Sequence, residues 1–173
     1  MKAAAVLVVL ALTGCTSLPL PASHDESLLV IPLRWETPAG NRVANAVQLT
    51  LRSEASNRTY TESASPGSPL LSFALPPGQY RVQNALLLYR NLDNNEPGQD
   101  PVRGMGGRAI LIGELQVLLW DGAIEVLYNG DWFRAENAPT GADGRRDVSA
   151  RLRSDPRWAA WETHQRVGFA SGG

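Results

Sequence analysis

The sequence predicts a mainly β protein: an antiparallel β-sandwich with a short C-terminal helix. Three observations carry this. Between Leu28 and Phe133, apolar residues recur at period two in short runs, as in strands with one buried face. Clusters of Pro, Gly, Asn and Asp separate the runs, and roughly seven or eight strands punctuated this way fit a sandwich. Beyond Phe133 the pattern changes. Asp155-Pro156 reads as a helix start, and Trp158 and Trp161 fall three apart, on one helix face.

At the N-terminus, Lys2 precedes an apolar run from Ala3 to Leu12, then Thr13, Gly14 and Cys15. A basic start, a short apolar stretch and small residues make a secretory signal. The run is too short to cross a bilayer, which needs roughly 20 apolar residues. Leu12-Thr13-Gly14-Cys15 resembles the lipobox of bacterial lipoproteins. That resemblance implies cleavage before Cys15, a diacylglyceryl thioether on its sulfur and acylation of the new amino terminus. Each buried methylene contributes about 0.8 kcal/mol, so paired chains anchor stably where one does not. Thr16 is not the Asp that favours inner-membrane retention in that family, which implies the outer membrane of a Gram-negative cell, on its periplasmic face. In a Gram-positive cell the anchor would sit in the single membrane. The expected organisation is therefore a signal peptide over 1–14, the lipidated cysteine and a Pro-rich tether over 15–27, a domain over 28–166 and a disordered tail over 167–173. Residues 16–27 would reach at most ~40 Å.

The strands follow in order. Leu29, Ile31, Leu33 and Trp35 share one face, and Pro32 makes this strand an edge or interrupts it. Val47, Leu49 and Leu51 alternate with polar residues. Arg58 to Glu62 is a short polar strand. Leu71, Phe73 and Leu75 lead into the Pro76-Pro77-Gly78 turn, and Tyr80 and Val82 continue the buried face. Asn84 falls where an apolar residue is due, marking a bulge or a polar group needing partners, and Leu86 and Leu88 resume that face. Asn91 to Arg108 has no apolar periodicity and reads as a long loop. Leu111, Leu115, Val117 and Leu119 then share a face, with Trp120 opposite. Asp121-Gly122 signals a two-residue hairpin returning through Ile124, Val126 and Tyr128, and Asn129-Gly130 signals a second turn. Ala135 to Arg146 reads as a loop, and Asp147 to Arg153 as one or two helical turns.

Phe73-Ala74-Leu75-Pro76-Pro77-Gly78-Gln79-Tyr80-Arg81-Val82 resembles the strand–turn–strand motif of prealbumin-like sandwich domains, such as carboxypeptidase regulatory-like and collagen-adhesin B-type modules. The resemblance covers about ten residues. It implies a prealbumin-like or Ig-like sandwich and, because those modules are mostly structural or binding units, no catalytic residue.

Composition narrows the chemistry. Sixteen basic and 17 acidic side chains nearly cancel, with no basic cluster for nucleic acid. A single cysteine excludes intrachain disulfides and multi-cysteine metal sites. There is no Gly-x-Ser-x-Gly elbow, and the histidines are His24 in the tether and His164 near the tail, so a Ser–His–Asp arrangement would have to use His164. Glu114 and Glu125 would stand roughly 13 Å apart across the expected hairpin, beyond the glycosidase range. Asp93, Asn95 and Asp100 concentrate oxygen donors, but Pro97 and Gly104 break an EF-hand pattern, so no metal or other cofactor is expected.

Three functions remain open. The first is a non-catalytic, membrane-tethered binding or structural module with an envelope partner. The second is a periplasmic carbohydrate or peptidoglycan binder, using Trp120 and the Asn91–Arg108 loop; Trp35 and Trp132 read as core. The third is a hydrolase. Asp93, Asn95, Asp100 and Arg108 of the long loop, with Trp120, are the candidate binding residues, because loops carried on a rigid sheet are the usual place for function.

Overall fold

β1 (Ser27–Glu36) is the element on which the chain is built. Its first half reads Ser-Leu-Leu-Val-Ile with no polar alternation, and Ser27 to Leu33 are buried throughout. Such a strand is covered on both faces. Leu29, Ile31 and Leu33 point into one core, and Leu28 and Val30 into another.

The computed structural model describes residues 18–162 and 166–170. Signal residues 1–14, Cys15 and His164 lie outside the described residues. After β1 come β2 (Arg42–Ser53), β3 (Thr59–Ala64), β4 (Leu70–Leu75), β5 (Gly78–Asn91), β6 (Pro97–Pro101), β7 (Ala109–Ile112), β8 (Gln116–Trp120), β9 (Ala123–Tyr128) and β10 (Phe133–Ala138). The helix α1 (Ala142–Ser154), a 3-10 turn (Trp158–Ala160) and β11 (Arg166–Ala170) complete the fold.

Two sheets enclose the larger core. One is antiparallel throughout: β2 lies between β3 and β5, and the far edge of β5 pairs with β7 near its start and β6 near its end. The other has six strands and is mixed. β1 pairs antiparallel with β4 but parallel with β8 and β9; β10 and β11 extend the sheet. The expected all-antiparallel arrangement is corrected here. Parallel neighbours need a long crossover, and the other sheet is built between β1 and β8, bringing β8 in beside β1 from the same end.

Asp121-Gly122 is the next correction, because the chain does not reverse there. Leu28 lies opposite Val117 and Leu33 opposite Ile124, so five steps along β1 match seven along β8–β9. The dipeptide absorbs the surplus as a break between two strands running the same way. Pro32 sits where pairing passes from β8 to β9, so its missing N–H leaves no ladder bond unmade on that side. A side chain at Gly122 has no room: an added Cβ would lie 2.7 Å from Asn137 Oδ1 and 3.0 Å from the Ala138 carbonyl.

β5 carries a bulge: Thr50 faces Asn84 while Leu51 faces Val82. The extra residue flips the faces beyond it, so Ala85 and Leu87 are buried and the expected Leu86 and Leu88 are only half-buried. The reading of Asn91–Arg108 as a loop also changes. β5 runs to Asn91, an exposed turn follows, β6 returns along β5, and Met105 is fully buried. Ile110 and Ile112, not Leu111, face the core; Leu111 is exposed, and Leu115 takes a left-handed backbone (φ 50°) between β7 and β8, which lie in different sheets.

The outer face of the mixed sheet is covered by α1, whose Val148 and Leu152 pack with Leu28, Val30, Val117, Leu119 and Trp161. α1 is longer than expected, starting within the predicted 135–146 loop, whose beginning is β10. Asp155 caps the C-terminal end of α1 rather than opening a helix; its carboxylate accepts from the Arg157 N–H at 2.8 Å. Residues 166–170, mostly within the expected disordered tail, form β11 beside β8; 171–173 lie outside the described residues.

Candidate functional site

The predicted binding residues do not form one site. Asp93 and Asn95 are exposed in the β5–β6 turn, where Asn95 has φ 59°. Asp100 stands on β6 opposite Leu87. Arg108 lies near the other end of β5, its carbonyl accepting from Val82 N–H at 2.9 Å. Arg108 and Trp120 do meet, with the guanidinium 5.5 Å from the ring centroid. Trp120 itself is buried, however, and its Nε1 donates to Asn137 Oδ1 at 2.9 Å. The period-two argument correctly put it opposite Leu119; what it missed is that both faces of β8 are covered. Trp35 is half-buried and donates to the Ser68 carbonyl.

Trp132 is the most exposed tryptophan, at 49%. The Asn129-Gly130 turn sets it there. Gly130 takes φ 103°, and Asn129 Oδ1 accepts from the backbone N–H groups of Asp131 and Trp132, each at 3.0 Å. This side-chain-mimicked turn links β9 to β10 with Tyr128 opposite Phe133. Beneath the turn, the Tyr128 hydroxyl lies 2.5 Å from both Asn41 Oδ1 and the Gly130 carbonyl, and its ring stacks at 4.5 Å on Phe133. The base under Trp132 is therefore held from three directions.

A cleft of about 380 Å³ opens beside it, lined by Glu36, Pro38, Tyr128, Asn129, Trp132 and Arg134 among others. That volume lies in the range of small-molecule sites, roughly 300–1,000 Å³. Its polar groups are a carboxylate at the end of β1, an amide at the turn and the Arg134 guanidinium, which also bonds Glu136 at 2.8 Å. An aromatic plane with donors and acceptors around it can stack an apolar face while bonding hydroxyls or amides. Leu92 and Val43, both about half exposed, stand at the same end: Leu92 N–H donates to the carbonyl of Asn41, whose side chain holds Tyr128. The β5–β6 turn thus reaches this end through Leu92, although Asp100 and Arg108 do not.

The catalytic alternatives are not assembled among the described residues. Glu125 bonds Arg34 at 2.6 Å, and Glu114 lies before β8 at the other end of the sheet. No group of three His, Cys, Asp or Glu side chains is placed to hold a metal among the described residues, the 93–100 stretch included.

The opposite end of β1 holds the expected tether. Leu18 is buried against Leu28, Val30 and Trp161. Its N–H donates to Asp155 Oδ2 at 3.1 Å, its carbonyl accepts from Arg157 Nη1 at 3.0 Å, and the Pro19 carbonyl accepts from Trp161 Nε1 at 2.9 Å. Residues 18–26 are therefore docked on the domain rather than extended away from it.

No family model and no curated protein matches the sequence. Among solved structures, a leucine-rich repeat protein from Bacteroides thetaiotaomicron matches 76% of this chain at 11% identity with a TM-score of 0.33. The chain spans 16% of that protein's length. No helix among the described residues is long and apolar enough to cross a membrane.

Proposed function

We propose that this chain is a lipid-anchored, non-catalytic binding module of the bacterial cell envelope, which takes its partner at the Trp132 end. The observation that carries the binding reading is the half-exposed Trp132, held over a rigid base at the mouth of a cleft. The lipobox around Cys15 supports the anchor, and Thr16 supports the outer membrane of a Gram-negative cell. The Leu-Pro-Pro-Gly-x-Tyr segment supports a prealbumin-like or Ig-like sandwich: Tyr80 OH donates to the Pro76 carbonyl at 2.7 Å, a tie that resembles the tyrosine corner of such folds.

A glycan is the second reading, favoured by the combination of an indole plane with Glu36, Asn129 and Arg134 around it. Soluble peptidoglycan fragments should then protect Trp132 from oxidation, whereas a protein partner would leave that protection to envelope extracts alone. Two experiments test the main reading. Cys15→Ser should abolish palmitate incorporation; unchanged labelling would end the lipoprotein reading. A photocrosslinker at Trp132 should give envelope adducts that one at exposed Leu111, on the first-paired end of β5, does not; equal adduct yields would remove the cleft from the function.

A further inference from the structure

The docked N-terminal segment sets where the anchor must lie, and the orientation drawn from it rests on lipidation of Cys15. A free tether over residues 16–27 would let the domain hang at any angle. With Leu18 buried, three residue steps separate Cys15 from the folded surface, a reach of at most about 11 Å. We propose that the surface formed by residues 18–20, the C-terminal end of α1 and the 3-10 turn lies against the headgroup layer of the bilayer that holds Cys15, with the Trp132 cleft pointing away from it.

The surface suits a phospholipid interface. Leu20 is an apolar side chain 58% exposed beside the docking point. Arg153 and Arg157 are exposed cations on the same end, and Arg157 also clamps the Leu18 carbonyl. Guanidinium groups pair with phosphates through paired N–H donors, and an apolar side chain next to them enters the interface. Asp155, the carboxylate between Arg153 and Arg157, is engaged by the Leu18 and Arg157 N–H groups. The cleft is then distal by construction. Leu18 packs at Leu28 and Val30, whereas Glu36 borders the cleft, six to eight residues further along β1. At about 3.3 Å per residue that places the cleft roughly 20–26 Å further along the strand, and up to that much further from the bilayer. Its ligand is accordingly a component of the aqueous envelope, not a headgroup of the anchoring membrane.

The test uses the full lipidated chain in vesicles of phosphatidylethanolamine and phosphatidylglycerol carrying brominated lipid. Because the Cys15 sulfur is consumed in its thioether, a fluorophore can be attached at Leu20→Cys or Asp131→Cys alone. The label at 20 should be quenched severalfold more than the label at 131. Equal quenching of chains that carry the lipid and float with the vesicles would overturn the orientation. Chains that carry no lipid by mass would instead overturn the lipoprotein reading beneath it. Inserting a dozen Gly and Ser residues between Ser17 and Leu18 adds roughly 20 Å of flexible reach. That insertion should erase the difference without loss of flotation; a difference that persists would overturn the claim that the short connection sets the pose.

Discussion

The two ends of β1 are built differently. At its start, both faces are sealed: Leu29 and Ile31 by the second sheet, Leu28 and Val30 by α1, Trp161 and Leu18. At its finish, Arg34 and Glu36 are exposed, Trp35 is half-buried, and the strand ends in the cleft beside Trp132. Each end carries a tryptophan, one with no exposed surface and one half exposed. The difference teaches that aromatic size does not decide the role. Coverage does: Trp161 is sealed in the cluster under α1, whereas Trp132 keeps about half of its surface open.

Substitutions can break this contrast. Trp161→Ala should have the largest effect, about 3–5 kcal/mol by urea denaturation, because it opens a cavity among Leu18, Leu28 and Val117. It should also release residues 18–26 to limited proteolysis. Gly122→Ala should cost about 1–3 kcal/mol by the same measurement, since the new methyl meets Asn137 and the Ala138 backbone. A milder tryptophan effect at Trp161 than at Trp132 would reverse the comparison. Trp132→Ala should change stability by less than about 0.5 kcal/mol, as surface changes do, while losing the envelope adducts.

A pH series sharpens the same point from the second sheet. Burial, with Tyr60 nearby, pushes the Tyr80 hydroxyl well above the ordinary phenol range. The folded state therefore holds the neutral form that the unfolded chain gives up near pH 10. The stability this contributes is full below about pH 10 and is lost as pH rises beyond it. Tyr80→Phe should flatten that alkaline decline in urea midpoint and cost about 1 kcal/mol at neutral pH through the lost Pro76 bond.

Much of the fold was legible in the sequence where one face is dry and one wet. Val47, Leu49, Leu51, Phe73 and Leu75 are buried as alternation predicts, and the Pro76-Pro77-Gly78 and Asn129-Gly130 turns fall where their chemistry places them. Alternation lost its meaning where both faces are dry. The uninterrupted runs Leu28–Ile31 and Val117–Trp120 were the available signal, and reading them as double-sided burial would have placed Trp120 inside. Asn84 did flag a bulge, but the phase change it imposes on Ala85 and Leu87 is a separate step. Asp-Gly at 121–122 permits a hairpin without requiring one; the partner strand decides, and local residues carry no record of it. The candidate site was the least legible part. The sequence reading favoured Trp120 over Trp132, and the cleft beside Trp132 is lined in part by Glu36 and Pro38, nearly a hundred residues away in sequence.

The contacts of Leu18 and Pro19 with Asp155 and Trp161 join residues 137 and 142 positions apart. A ribosome makes the first of these long before the second. Until Trp161 emerges, Leu18 and Pro19 lack the late partners that hold them, and the growing chain carries a longer free segment at this end than the folded one. The molecule is thus long-leashed in its youth and short-leashed once complete, and any enzyme that must reach the chain just ahead of Leu18 has its widest access before the last turn closes.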